Sequence, residues 1–190
     1  ETRSELEQIS SHITSQSKTF LFGEKATDKG ILSLNLAETD LIAFATHAVN
    51  AKTEFGMEEA GLVMSGLGSD NIDDWLLSSS EIRQLKLNTS LVILSACNTA
   101  SIGSDGQNAY SGLAESFFYA GAKSLLVSQW PVASNAIVHL STTMLSNYIA
   151  NQSISKAEAL RRSMIAMIDG TNTSYQHPFF WAPFVLVGVH

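Results

Sequence analysis

Cysteine is nearly missing from the chain: Cys97 is the only one in 190 residues, so no internal disulfide can form. Nothing in the composition is adapted to an oxidising compartment, and a reducing cytosol would keep a reactive thiol usable, so a cytoplasmic location is expected. Basic residues are scarce, with 11 Lys and Arg against 18 Asp and Glu and a net charge of −7. Nucleic-acid binding is dominated by cationic groups neutralising phosphates, so this balance argues against a nucleic-acid partner. No apolar run approaches the roughly 20 residues that span a bilayer, and Glu1-Thr2-Arg3-Ser4-Glu5 is no signal peptide, which argues equally against a membrane. Internal repeats and low-complexity tracts are absent as well. The chain does not begin with Met, and it is expected to be the C-terminal part of a longer protein.

Motifs for several chemistries are also missing. There is no GxSxG elbow for a serine hydrolase. Gly103 and Gly106 lie in a polar stretch, Asn98 to Asn108, that lacks both GxGxxG and a following Lys-Ser/Thr pair, so a phosphate-binding loop is disfavoured. His12, His139, His177 and His190 are not spaced as ligands with Cys97 or with one another, so neither a metal nor another cofactor is expected.

What the chain does have is apolar substance, 45% of its residues, enough for one core and a single domain over residues 1–190. Its centre is Leu91-Val92-Ile93-Leu94-Ser95-Ala96-Cys97-Asn98-Thr99, an apolar run that ends at the only thiol. Such a run fits a strand buried on both faces of a parallel sheet, with Cys97 just beyond its carboxyl end, where reactive groups collect in α/β proteins. An unpaired cysteine is also commonly a small buried hydrophobe, and that reading stands beside the catalytic one. A second run, Leu41-Ile42-Ala43-Phe44-Ala45-Thr46, ends at His47, 50 residues before Cys97. That interval is close to the roughly 50 residues between histidine and cysteine in caspases. Ala96-Cys97 matches the middle of the caspase signature, whereas its flanking Gln and Gly are not present.

Around these runs the pattern alternates helix and strand, which predicts an α/β fold with a largely parallel sheet covered on both faces. Leu6, Ile9 and Ile13 predict an amphipathic helix over residues 4–15, and Phe20-Leu21-Phe22-Gly23 a short strand. Thr27 is expected to cap a helix carrying Ile31, Leu32 and Leu34, and Ser78 with Glu81 a short helix through Leu85. Residues 48–80 read as a long mobile loop, with Gly61-Leu62-Val63-Met64 as the arm of a small hairpin inside it. Further helices are expected from Tyr110 to Ala120, ended by Gly121, from Ser134 to Ala150, and from Ser155 to Ile168. Leu125-Leu126-Val127 and Phe184-Val185-Leu186-Val187 complete the strands.

The ordered motifs Phe44-Ala45-Thr46-His47, Gly61-Leu62-Val63, Leu94-Ser95-Ala96-Cys97-Asn98-Thr99, Ser111-Gly112-Leu113-Ala114, Tyr119-Ala120-Gly121-Ala122, Val127-Ser128-Gln129-Trp130-Pro131-Val132, Lys156-Ala157-Glu158-Ala159-Leu160 and Trp181-Ala182-Pro183-Phe184 cover nearly the whole chain. Together they resemble the CHAT peptidases, caspase-like cysteine peptidases often attached to tetratricopeptide repeats and more distantly related to separases. The resemblance implies a caspase-like three-layer α/β/α sandwich, a protein substrate, and a tetratricopeptide-repeat or other regulatory domain ahead of residue 1. His47 and Cys97 would be the catalytic dyad, with His47 as the proton carrier for the thiolate and for the leaving amine. The resemblance assigns the oxyanion hole to the backbone N–H groups of Ala48 and Cys97. The family pattern has Gly after the histidine; Ala48 would be strained if that position needs a positive φ. Ser95 corresponds to a residue lining the specificity pocket, and Ser128, Gln129 and Trp130 would form its other wall. With a neutral Ser95, the sequence offers no base there to select Asp and no carboxylate to select Arg or Lys. A catalytically inactive scaffold of the same fold, or an α/β domain binding a small molecule or nucleotide, are the alternatives that the sequence leaves open.

Overall fold

A strand that is apolar at every position has two faces to bury, and this chain provides helices for both. The computed structural model describes residues 2–13, 17–49, 58–66, 75–95, 112–151 and 153–189. In chain order the elements are α1 (Thr2–Ser11), α2 (Asp28–Leu32), β1 (Leu41–Phe44), β2 (Ala48–Val49), β3 (Gly61–Val63), β4 (Leu76–Ser78), α3 (Ser79–Gln84), β5 (Leu91–Leu94), α4 (Leu113–Ala120), β6 (Ser124–Ser128), α5 (Ser134–Ala150), α6 (Lys156–Asp169), α7 (Thr173–Gln176) and β7 (Phe184–Gly188). The main sheet has the order β1-β5-β6-β7. β1, β5 and β6 run parallel, and β7 closes the edge antiparallel to β6.

Alternation along β5 divides the core. Val92 and Leu94 point into a layer with Ile82 of α3 and Leu113 and Phe117 of α4. Leu91 and Ile93 point into the opposite layer, with Ile9 of α1, Leu140 and Met144 of α5, and Leu160 and Met167 of α6. The result is a three-layer α/β/α sandwich, as the apolar runs predict. Phe117 is fully buried and its ring lies 5.6 Å from that of Phe44, which fixes α4 over the end of β1. No helix among the described residues is long and apolar enough to cross a membrane.

Helix starts follow the local chemistry. Thr27 accepts from the Gly30 N–H, and Ser78 and Glu81 form a reciprocal capping box at the start of α3. Gly121 ends α4 with φ of 111°, a conformation that L side chains rarely adopt.

Two expectations fail. Phe20-Leu21-Phe22-Gly23 is not a strand: the chain is irregular there and passes into a 3-10 turn at Gly23–Lys25. Its aromatic rings find other partners, Phe20 stacking on Phe22 at 5.3 Å and the Arg3 guanidinium lying 4.5 Å over the Phe22 ring, while the segment pairs with no sheet edge. The described part of residues 48–80 is also no simple loop, though the hairpin arm expected at Gly61-Leu62-Val63 is there. β2, β3 and β4 form a second, antiparallel sheet with β3 in the middle, and Leu62 and Leu77 are fully buried in it. The apolar content of Gly61-Leu62-Val63 and Leu76-Leu77 is too short to show periodicity in sequence, but it is enough to pair once the two meet.

Candidate active site

The carboxyl ends of β1 and β5 are neighbours. The strands pair in parallel from Leu41 opposite Leu91 to Phe44 opposite Leu94, and the Ser95 N–H extends the ladder to the Phe44 carbonyl at 2.8 Å. His47 leaves β1 at this edge with an exposed side chain. Its backbone is held from the second sheet: the Val63 N–H donates to the His47 carbonyl at 2.8 Å, and the Thr46 hydroxyl donates to the Val63 carbonyl. The small sheet therefore anchors the segment that carries the imidazole.

Ala48 opens β2 opposite Leu62, in extended backbone open to any residue, so the strain considered for a non-glycine there does not arise. With the Val63 to His47 bond on one side, the Ala48–Leu62 pair is a non-hydrogen-bonded one, and the Ala48 N–H is turned away from β3. Cys97, the other member of the expected dyad and oxyanion hole, lies outside the described residues, as does the Asn98 to Asn108 stretch.

Ser95 continues the alternation of β5 onto the face of α1 and α5. Pairing of Ile93 with Leu126, carried two residues on, sets Ser95 beside Ser128, which is buried at the end of β6. Trp130 packs on the same side; its indole N–H donates to the Phe179 carbonyl at 3.0 Å, and its ring lies 6.4 Å from that of Phe179. The Gln129 N–H is taken by the Pro183 carbonyl at 3.0 Å, continuing the β6–β7 ladder. These two groups are thus committed to the fold's own backbone.

One residue at this edge escapes the sequence reading. Glu5 of α1 is 3% exposed, and its carboxyl lies near enough to the Ser95 hydroxyl for that group to act on its ionisation. Burial pushes the Glu5 pKa up, and the Ser95 hydroxyl draws it down by a lesser amount. Glu5 Oε1 and Ser95 Oγ are both buried without a hydrogen bond of good geometry. The expectation of no carboxylate beside Ser95 is therefore corrected. The signal was spacing: Glu5 stands four residues before Ile9, the fully inward residue of α1, and so shares its face. An acidic residue in a short amphipathic helix reads as solvent-facing, and Leu6, read as inward, is only half-buried.

The other described histidines are occupied elsewhere. His12 Nδ1 lies 2.8 Å from Ser146 Oγ, His139 stacks on Tyr175 at 5.5 Å, and His177 Nδ1 accepts from the Phe179 N–H at 3.2 Å. No group of three or more His, Cys, Asp or Glu that could hold a metal occurs among the described residues.

Comparison with known proteins supplies the lineage. The sequence profile of the CHAT domain family matches residues 1–189. Tetratricopeptide repeat protein 28 of Mus musculus is 27% identical over 201 aligned positions, covering 88% of this chain and 8% of that protein. Its Homo sapiens counterpart is 25% identical over the same coverage. The chain thus spans under a tenth of the length of the curated relatives it matches.

Proposed function

The chain belongs to the CHAT domain family, and from that premise we propose that it is a cysteine endopeptidase in which His47 and Cys97 form the catalytic dyad. The observation that carries the reading is the parallel pairing of β1 with β5 up to Phe44 opposite Leu94, from which the segments leading to the histidine and to the thiol start side by side. In the proposed reaction His47 takes the thiol proton and the Cys97 thiolate attacks a peptide carbonyl carbon. Collapse of the tetrahedral intermediate breaks the C–N bond as His47 returns the proton to the leaving amine, and water then hydrolyses the thioester. The outward-turned Ala48 N–H and that of Cys97 are assigned to the oxyanion. Ser95, Ser128, Gln129 and Trp130 are assigned to the substrate pocket; with the Gln129 N–H and the Trp130 indole already bonded to the fold, their part is shape.

The relatives are named for tetratricopeptide repeats. By that kinship we assign residues 1–190 to a single peptidase domain, the C-terminal part of a longer protein whose preceding repeats regulate it in the cytoplasm.

The test is covalent labelling of Cys97 by a peptide acyloxymethyl ketone, read by mass spectrometry, alongside cleavage of a peptide library. His47→Ala is expected to lower both rates by about 10²–10⁴-fold, the usual contribution of a positioned acid–base group. Cys97→Ala is expected to abolish turnover with a stability loss below about 1.5 kcal/mol, at the small end of core truncations. Failure of the wild type to label would leave an inactive scaffold of the same fold.

A further inference from the structure

A buried carboxyl group with an unpaired oxygen is costly, and proteins rarely keep one that does nothing. Glu5 is such a group, and it sits at the carboxyl edge of the sheet rather than in mid-core. Its oxygen Oε1 and the Ser95 Oγ are both buried and unsatisfied. Ser128, level with Ser95 on β6, and Trp130 border the same face. Among the described residues no cation forms a salt bridge to Glu5. The nearest basic residue on its own helix, Arg3, is directed to the Phe22 ring, and the Lys18 ammonium donates to the Ser10 carbonyl at 2.6 Å.

We propose that Glu5 is the specificity-determining residue of this site: with Ser95 it forms the floor of a pocket that accepts an arginine side chain from the substrate residue whose carbonyl is attacked. The assignment rests on the peptidase reading and deepens it. A guanidinium is the complementary occupant because its planar fork of N–H donors can satisfy a carboxylate and a neighbouring hydroxyl together, with a charge opposite to that of the ionised acid. Lysine, a point charge with a strongly hydrated head, would lose more hydration for fewer directed bonds. Ser95 itself is only partly buried, since it stands at the open carboxyl edge of the sheet. The net charge of −7 would raise the local concentration of basic peptides.

The experiment uses the full-length protein and three peptide acyloxymethyl ketones that differ in one side chain: arginine, its neutral isostere citrulline, and norleucine. Labelling rates at Cys97 are followed by mass spectrometry. Wild type is expected to prefer arginine over citrulline by about 100-fold, the scale of a buried charge pair losing one charge. Glu5→Gln is expected to bring that ratio below about 10, with the arginine rate falling by far more than the norleucine rate. Equal arginine and citrulline rates in wild type would overturn the pocket assignment and leave the peptidase reading standing. A preference that survives unchanged in folded Glu5→Gln would remove Glu5 as its source. Absence of labelling by all three probes would overturn both readings. If Glu5→Gln does not fold, equal arginine and citrulline rates in wild type still overturn the proposal, and Glu5→Asp, which keeps the charge but shortens its reach, is expected to lower the arginine rate more than the norleucine rate.

Discussion

Glu5 links stability to pH because its neutral form is the one the folded chain favours. Its pKa is raised above 4.5 by burial, so the folded chain holds a proton that the unfolded chain has already released. The resulting stability is complete below the unfolded value and is lost as the pH rises through the folded one. Glu5→Gln keeps the shape without the ionisation. It is expected to be more stable than wild type by about 1–3 kcal/mol at pH 8 and equal to it near pH 4, as measured by urea unfolding across that range. A gap of constant size at both ends would show that the carboxyl group stays in one protonation state. Stability gained and arginine preference lost in one substitution is the usual exchange at a functional site. Gly121 is a residue whose backbone accepts glycine alone without strain. At φ of 111° a Cβ there would run into the Leu87 carbonyl, whose own N–H is bonded to Ala120. Gly121→Ala is expected to cost more than about 2 kcal/mol in thermal or denaturant unfolding, from strain and overlap together.

The small antiparallel sheet is the element that gives the histidine its footing. It is tied to the rest of the chain by the Ser65 N–H, which donates to the Ala26 carbonyl at 2.7 Å, and its β3–β4 ladder runs on into α3, where the Ser79 N–H donates to the Ala60 carbonyl at 2.8 Å. Glu59 binds the start of α3, accepting from the Ser80 N–H at 3.0 Å and from the Ser79 and Ser80 hydroxyls, and these bonds hold its carboxyl below the usual range. The junction of β4 and α3 is thereby capped twice, by Ser78 with Glu81 from within and by Glu59 from the bend ahead of β3. Ser78→Ala is expected to cost about 1 kcal/mol, and Ser78→Ala with Glu81→Ala less than the sum of the two, because the capping box is reciprocal. Strictly additive losses in a double-mutant cycle would show that the two act independently.

At the scale of the whole molecule, the core and the candidate site differ in how firmly they are held. The two central strands β5 and β6 are covered on both faces, and Val92, Ile93, Leu125 and Leu126 are at most 1% exposed. The imidazole, by contrast, is exposed at an edge anchored by a three-stranded sheet whose first strand is two residues long. Elements of that size open at lower free energy than the core, and a site competent only part of the time loses apparent activity in proportion. On the peptidase reading proposed above, residues 1–190 alone are therefore expected to turn over a peptide library more slowly than the longer, repeat-regulated protein that reading implies. Equal and high rates would show that the site is formed without help.

The sequence was sufficient wherever local chemistry settles the outcome. The runs 41–44 and 91–94 have no polar position, so both had to become strands of the sheet; 91–94 is buried at every position, while 41–44, at the sheet edge, is buried only at Phe44. Thr27, Ser78 and Gly121 mark helix ends because a side-chain oxygen or a missing Cβ acts within one turn. The neighbourhood of His47 and the strand leading to Cys97 was legible for the same reason, since parallel pairing brings like ends together. Tertiary structure alone decided three matters. Phe20-Leu21-Phe22 has the look of a strand but pairs with no sheet edge, and its rings stacked instead. Gly61-Leu62-Val63 was legible as a hairpin arm, but its place as the central strand of three, flanked by β2 and β4, was not. Glu5 has the chemistry of a surface residue, yet α1 docks through Ile9, and helical geometry then carries the carboxyl group one turn farther, to Ser95. Each turned on a partner distant in sequence, and pairing or burial at such distances leaves no periodic trace in the residues themselves.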